Sequence, residues 1–110
     1  MSNYIKLVQN DTRPSLVITL TDEVSGQPIN ITGCVVLLKF RLAGETVLKG
    51  TVIGQVVDGV NGLCVFHWST VPDILNGEPG IYQGELEIQF TDGTVQSAWD
   101  ILKFKLREEF

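Results

Sequence analysis

The stretch Tyr82-Gln83-Gly84-Glu85-Leu86-Glu87-Ile88-Gln89-Phe90 decides how this chain folds. Tyr82, Leu86, Ile88 and Phe90 share one parity, with Gly84 in the gap between them. Gln83, Glu85, Glu87 and Gln89 take the other. Successive side chains of a strand point to opposite faces, so alternation this strict means one buried and one wet face.

The same period recurs on both sides of it. Residues 4–8 read as a first strand, ended at Asn10-Asp11-Thr12-Arg13-Pro14, because proline donates no ladder hydrogen bond. Residues 15–22 follow, with Leu16, Ile18 and Leu20 on one face. Ser25-Gly26-Gln27-Pro28 is a turn. In residues 34–42, Val36, Leu38, Phe40 and Leu42 point inward with Cys34 in phase, and Val35, Leu37, Lys39 and Arg41 point out. Residues 46–57, broken by Gly50 and Gly54, form one bent strand or two short ones. Asp58-Gly59 and Asn61-Gly62 are hairpin dipeptides. Residues 62–68 place Cys64, Phe66 and Trp68 in phase, and residues 71–75 suit a short helical turn. Asp92-Gly93 leads into a last run, residues 95–107. There Leu102, Phe104 and Leu106 alternate with Lys103, Lys105 and Arg107, while Val95, Trp99 and Ile101 sit on the opposite parity. That change of phase predicts a bulge or break near Asp100. About seven strands at ~10–15-residue spacing, with no long helical period, predict an all-β fold. The expected form is a single immunoglobulin-like antiparallel β-sandwich with Greek-key connections, filling residues 1–110 as one domain.

Composition narrows the function classes. The 110 residues are 44% hydrophobic and 19% charged, which excludes a disordered chain. The net charge of −5 argues against nucleic acid and anionic membrane as partners. The longest apolar runs fall far short of the ~20 residues of a membrane helix. The N-terminus lacks the order of a signal peptide, so Cys34 and Cys64 are expected to be buried, reduced thiols.

Catalytic and metal chemistry find little to work with. His67, the single histidine, falls on an outer face with no nucleophile motif around it. No C-x-x-C or H-x-x-x-H spacing is present, and Asp58-Gly59-Val60-Asn61-Gly62 lacks the alternating oxygens of a calcium loop. Glu85 and Glu87 read as part of a solvated sheet face, with Lys39 and Arg41 able to meet them from a neighbouring strand. The expectation is a non-enzyme with no metal and no cofactor. Most aromatic residues are in phase with the core. The exceptions make the candidate partner contacts: Trp99, with Tyr4 or Asp100 beside it, and Phe110 at the C-terminal end.

A set of motifs adds a resemblance. They begin with Asn10-Asp11-Thr12-Arg13-Pro14-Ser15-Leu16, Leu20-Thr21-Asp22, and Gly26-Gln27-Pro28-Ile29-Asn30-Ile31-Thr32-Gly33-Cys34-Val35. Val65 and Trp68 follow Gly62, and then come Gly80-Ile81-Tyr82-Gln83-Gly84-Glu85-Leu86-Glu87 and Phe90-Thr91-Asp92-Gly93. Together they resemble the phage baseplate upper protein N-terminal domain family over roughly residues 8–106, in order as well as in content. The family's Asp-Leu-Thr-Gly-Ala is here Asn30-Ile31-Thr32-Gly33-Cys34. The resemblance implies an immunoglobulin-like structural protein of a tailed-phage virion. It would be a baseplate or tail-fibre adaptor, a neck part or a capsid decoration, docking on other virion proteins in multiple copies. It brings no catalytic residues. With Phe110 just after the last strand, a decoration, adaptor or collar-like part is expected rather than a fibre tether. The alternative reading is a carbohydrate- or host-receptor-binding module built around Trp99 with Tyr4 or Asp100.

Overall fold

The structure, a computed structural model, describes residues 4–13, 15–22, 24–97 and 101–108. Among these the strands are β1 (Ile5–Val8), β2 (Leu16–Thr19), β3 (Val35–Leu42), β4 (Gly50–Ile53) and β5 (Gln55–Asp58). They continue with β6 (Leu63–Phe66), β7 (Gly80–Gln89), β8 (Val95–Ser97) and β9 (Leu102–Arg107). Two short 3-10 turns, Trp68–Thr70 and Pro72–Leu75, join β6 to β7 where a short helical turn was expected. The larger sheet runs β1-β9-β7-β3-β4, with β8 also on β7, and the smaller runs β2-β6-β5. The fold is an all-β sandwich of these two sheets.

The two ambiguous runs each split in two. Gly54 alone separates β4 in the larger sheet from β5 in the smaller one. A side chain there would meet the Phe66 ring at 2.8 Å and the Val36 carbonyl oxygen at 3.2 Å, so the crossing requires glycine. In the last run, β8 pairs with Glu87–Gln89 of β7 and β9 with Gly80–Gly84. The break expected near Asp100 lies outside the described residues, and the strands on either side of it show no change of phase. Ser97 faces Glu87 and Leu102 faces Gly84, a register step of two residues, and an even step keeps the same parity inward. Val95 and Ile101 are therefore exposed, in phase with the lysines of β9.

The sheet is also not purely antiparallel. β1 runs parallel to β9, with Ile5 opposite Phe104 and Leu7 opposite Leu106. No hairpin links strands so far apart in sequence, so nothing local imposes the antiparallel sense.

The inward parity of each strand fills the core. Val36, Leu38 and Phe40 of β3, Cys64 and Phe66 of β6, and Phe104 of β9 are fully buried, as the alternation requires. Phe40 is central. Its strand neighbours are Gly84 on β7 and Gly50 on β4, and the missing side chains leave room for rings. Phe40 stacks on Tyr82 at 5.0 Å and meets the edges of Phe104 at 5.2 Å and Trp68 at 5.7 Å. Offset and edge-on pairs at these separations are the favoured aromatic geometries. The Tyr82 hydroxyl donates to the Glu78 carbonyl at 2.7 Å, which satisfies it at the edge of that layer. The two cysteines are free: Cys64 is buried as expected, but Cys34, at the mouth of β3, is only half-buried.

Candidate docking surface

Three surfaces concentrate polar side chains among the described residues, apart from Lys49, which donates to the Asn76 side chain at 2.8 Å, and Gln9, which donates to the Gly77 carbonyl at 2.8 Å. The first is the outer face of the larger sheet. Lys103, Lys105 and Arg107 alternate along β9, and Lys6 of β1 stands opposite Lys105. Gln83 of β7 separates Lys103 from Arg41 of β3, and Lys39 stands opposite Glu85. Six of the sequence's eight lysines and arginines thus share this face, leaving Arg13 and Lys49 elsewhere. The two acids of β7 sit among them. Lys39 pairs with Glu87, which holds the Glu87 carboxyl below its ordinary range with help from the Gln89 amide, and raises the ammonium in turn. Arg41 donates to Gln83 rather than to an acid, at 3.3 Å. A cavity of about 90 Å³ opens between Lys39, Arg41, Gln83 and Glu85, with Leu48 and Ile101 also lining it.

The second surface is one end of the sandwich. Here the β2–β3, β5–β6 and β7–β8 loops meet. Leu20 donates to the Gly62 carbonyl, Ile31 donates to that of Gly59, and a side chain at Gly33 would meet Thr91 at 3.2 Å. Each loop fixes an aspartate in a turn. Asp22 accepts from the backbone N–H groups of Val24 and Ser25, Asp58 from the Asn61 amide, and Asp92 from the N–H and hydroxyl of Thr94. Hydrogen bonds to the ionised form stabilise it. The backbone donors of Ser25 and Val24 lower the Asp22 pKa, and the hydroxyl and N–H of Thr94 lower that of Asp92. These loops hold no lysine or arginine.

The third surface is the outer face of the smaller sheet. Ser15 precedes β2 and faces His67 just beyond β6. Its hydroxyl lies 2.8 Å from His67 Nδ1, and His67 Nε2 lies 3.2 Å from Gln55 Oε1. A neutral imidazole protonated on Nε2 satisfies both contacts, donating to Gln55 and accepting from Ser15. The sequence offered no signal for this trio, because it arises only from the pairing of Leu16 with Phe66. A hydroxyl and an imidazole in contact have the first requirement of an activated nucleophile. The third member, however, is a neutral amide, which does not stabilise an imidazolium as a carboxylate does. Neither Ser15 nor His67 lines the cavity on the larger sheet. Cys64 has no role here, since burial pushes its thiol up to about 11.

Of the contacts singled out in the sequence, Tyr4 is 39% exposed immediately before β1. Trp99 and Phe110 lie outside the described residues, as does Asp100. Among the described residues no cluster of three His, Cys, Asp or Glu side chains is placed to hold a metal, and no helix is long and apolar enough to cross a membrane.

Sequence comparison adds nothing to this picture: no family model and no curated protein matches the chain. Structure comparison does. The fold is similar to the N-terminal domain of phage TP901-1 ORF48. The TM-score is 0.59 at 17% sequence identity, over 98% of this chain and 86% of that one. At that identity the likeness is one of fold. It spans both sheets.

Proposed function

We propose that this chain is a structural component of a tailed-phage virion, acting by docking on neighbouring subunits and not by catalysis. The observation that carries the proposal is the match of nearly the whole chain to a phage protein's N-terminal domain. The motif resemblance to baseplate upper proteins points the same way, with an adaptor, neck or decoration part as the finer reading. The surfaces fit such work. Cations gather on one sheet face and three aspartates on a loop end that has no lysine or arginine, and charge-complementary surfaces suit protein partners. Ser15, His67 and Gln55 serve in this reading to tie the β2 edge to β6 and Gln55. No metal or cofactor is needed. The partners are other virion proteins and further copies of the chain, and the site of action is the particle.

Mass spectrometry of density-purified particles tests this. The chain should appear at a stoichiometry fixed relative to the portal or major tail protein. Its absence from intact particles made by cells that express it would overturn the proposal.

A further inference from the structure

The charge segregation has a specific partner. We infer that the cationic face of the larger sheet binds the acidic loop end of a second copy of this chain, head to tail. This deepens the docking role proposed above, and its test uses the isolated chain, so it fails or succeeds separately from particle content.

The face carries Lys6, Lys39, Arg41, Lys103, Lys105 and Arg107 against Glu85 and Glu87. That balance is +4, in a chain whose net charge is −5, so the remainder carries −9. Lys6 and Lys105 are directly opposite each other on adjacent strands. Like charges so placed are destabilising within a sheet, a local cost that an anionic neighbour offsets. At ordinary ionic strength the screening length is only ~8 Å, so local complementarity outweighs the repulsion of two net-negative bodies.

The face is not built for nucleic acid. Ile53, Val35, Val95 and Ile101 are exposed on it beside the two carboxylates. Such a mixture of cations and aliphatic side chains calls for acids accompanied by aliphatic side chains. The loop end supplies them. Val24 is 98% exposed beside Asp22, and Val60 is 65% exposed in the turn that follows Asp58. With no lysine or arginine among these loops, nothing there repels the cationic face. The two surfaces are different patches of one molecule, so the contact is heterologous and propagates into a ring or a filament rather than closing as a two-fold dimer.

Sedimentation velocity of the purified full chain provides the test. At about 0.15 M salt the association should grow with protein concentration, and at about 1 M salt it should vanish, as screening shortens from ~8 Å to ~3 Å. Two variants separate the surfaces: Lys103→Gln with Lys105→Gln on the face, and Val24→Lys with Val60→Lys on the loop end. Each alone should stay at 12.1 kDa. Mixed, each supplies the surface the other has lost, and a one-to-one complex of about twice that mass should form without growing further. A wild-type chain that stays at 12.1 kDa throughout would overturn the inference. So would variants that associate like wild type, or a mixture that stays monomeric. A duplex DNA oligonucleotide forms the last arm. DNA binding that the face variant loses, in a chain that does not self-associate, would assign the face to a polyanion and overturn the inference. Circular dichroism checks that each variant is folded.

Discussion

Replacing Gly84 with alanine tests the ring layer at its tightest point. A β-carbon on Gly84 would lie 2.7 Å from Leu38 Cδ1 and 2.8 Å from Phe104 Cε2. Unstrained carbon contacts sit at about 3.5–4.0 Å, so one or both neighbours must retreat by about 1 Å. Neither has free space. Leu38 and Phe104 are fully buried, and Phe104 is held edge-on by Phe40 at 5.2 Å and by Trp68 at 5.9 Å. Overpacking of this kind costs about 1–3 kcal/mol. Alanine in a strand recovers about 0.5–1 kcal/mol of backbone entropy relative to glycine. Overpacking wins, and Gly84→Ala should lose about 1–2 kcal/mol. Urea unfolding followed by tryptophan fluorescence measures it, with an unchanged m-value showing that the denatured state is the same. Phe104→Leu in the same chain should relieve part of the strain, so the double variant should lose less than the two single losses combined. A stabilised Gly84→Ala, or strict additivity with Phe104→Leu, would refute the packing described here.

Four further outcomes are expected. Gly62 has φ of +71°, and a β-carbon there would sit 2.4 Å from the Leu20 carbonyl oxygen, whereas Gly26 at +72° meets nothing within 4 Å. Gly26→Ala should therefore lose only the ~1–2 kcal/mol of left-handed strain, and Gly62→Ala clearly more, by thermal or urea unfolding. With its thiol pushed up to about 11 by burial, Cys64 should resist a disulfide reagent at pH 8 in the native chain and react only on unfolding. Stability should also decline above about pH 9 as the unfolded thiol ionises, unlike in Cys64→Ala. Asp22, Glu87 and Asp92 have lowered pKa values, so the stability they add is present at neutral pH and lost as acid protonates them. An Asp22→Asn, Asp92→Asn chain should show a flatter decline in melting temperature below about pH 4. Ser15→Ala should cost about 1 kcal/mol, since it leaves His67 Nδ1 without its hydroxyl donor, measured by urea unfolding.

Alternation made the buried face of β3, β6, β7 and β9 legible, because each strand is wet on one side and a period of two survives. Lys39 meeting Glu87 followed from the same parity. Three things were hidden. The parallel partner of β1 depends on strands at opposite ends of the chain, which no local pattern encodes. The exposure of Val95 and Ile101 is masked in the sequence because apolar residues on a solvent face look like core residues of the opposite phase. The Ser15–His67 contact needed the register of β2 on β6, which is set by long-range packing. The cationic face was readable strand by strand in Lys103, Lys105 and Arg107. Only the sheet order joined them to Lys6, Lys39 and Arg41.

The parallel pairing of β1 with β9 also determines how the body answers tension. Pulling backward on Ile5 and forward on Arg107 draws these neighbouring strands along their own axes in opposite directions. The rungs between them are then loaded together in shear instead of being opened one after another from an end. A chain strung between two subunits through these strands would yield as a stiff link, not as a zip.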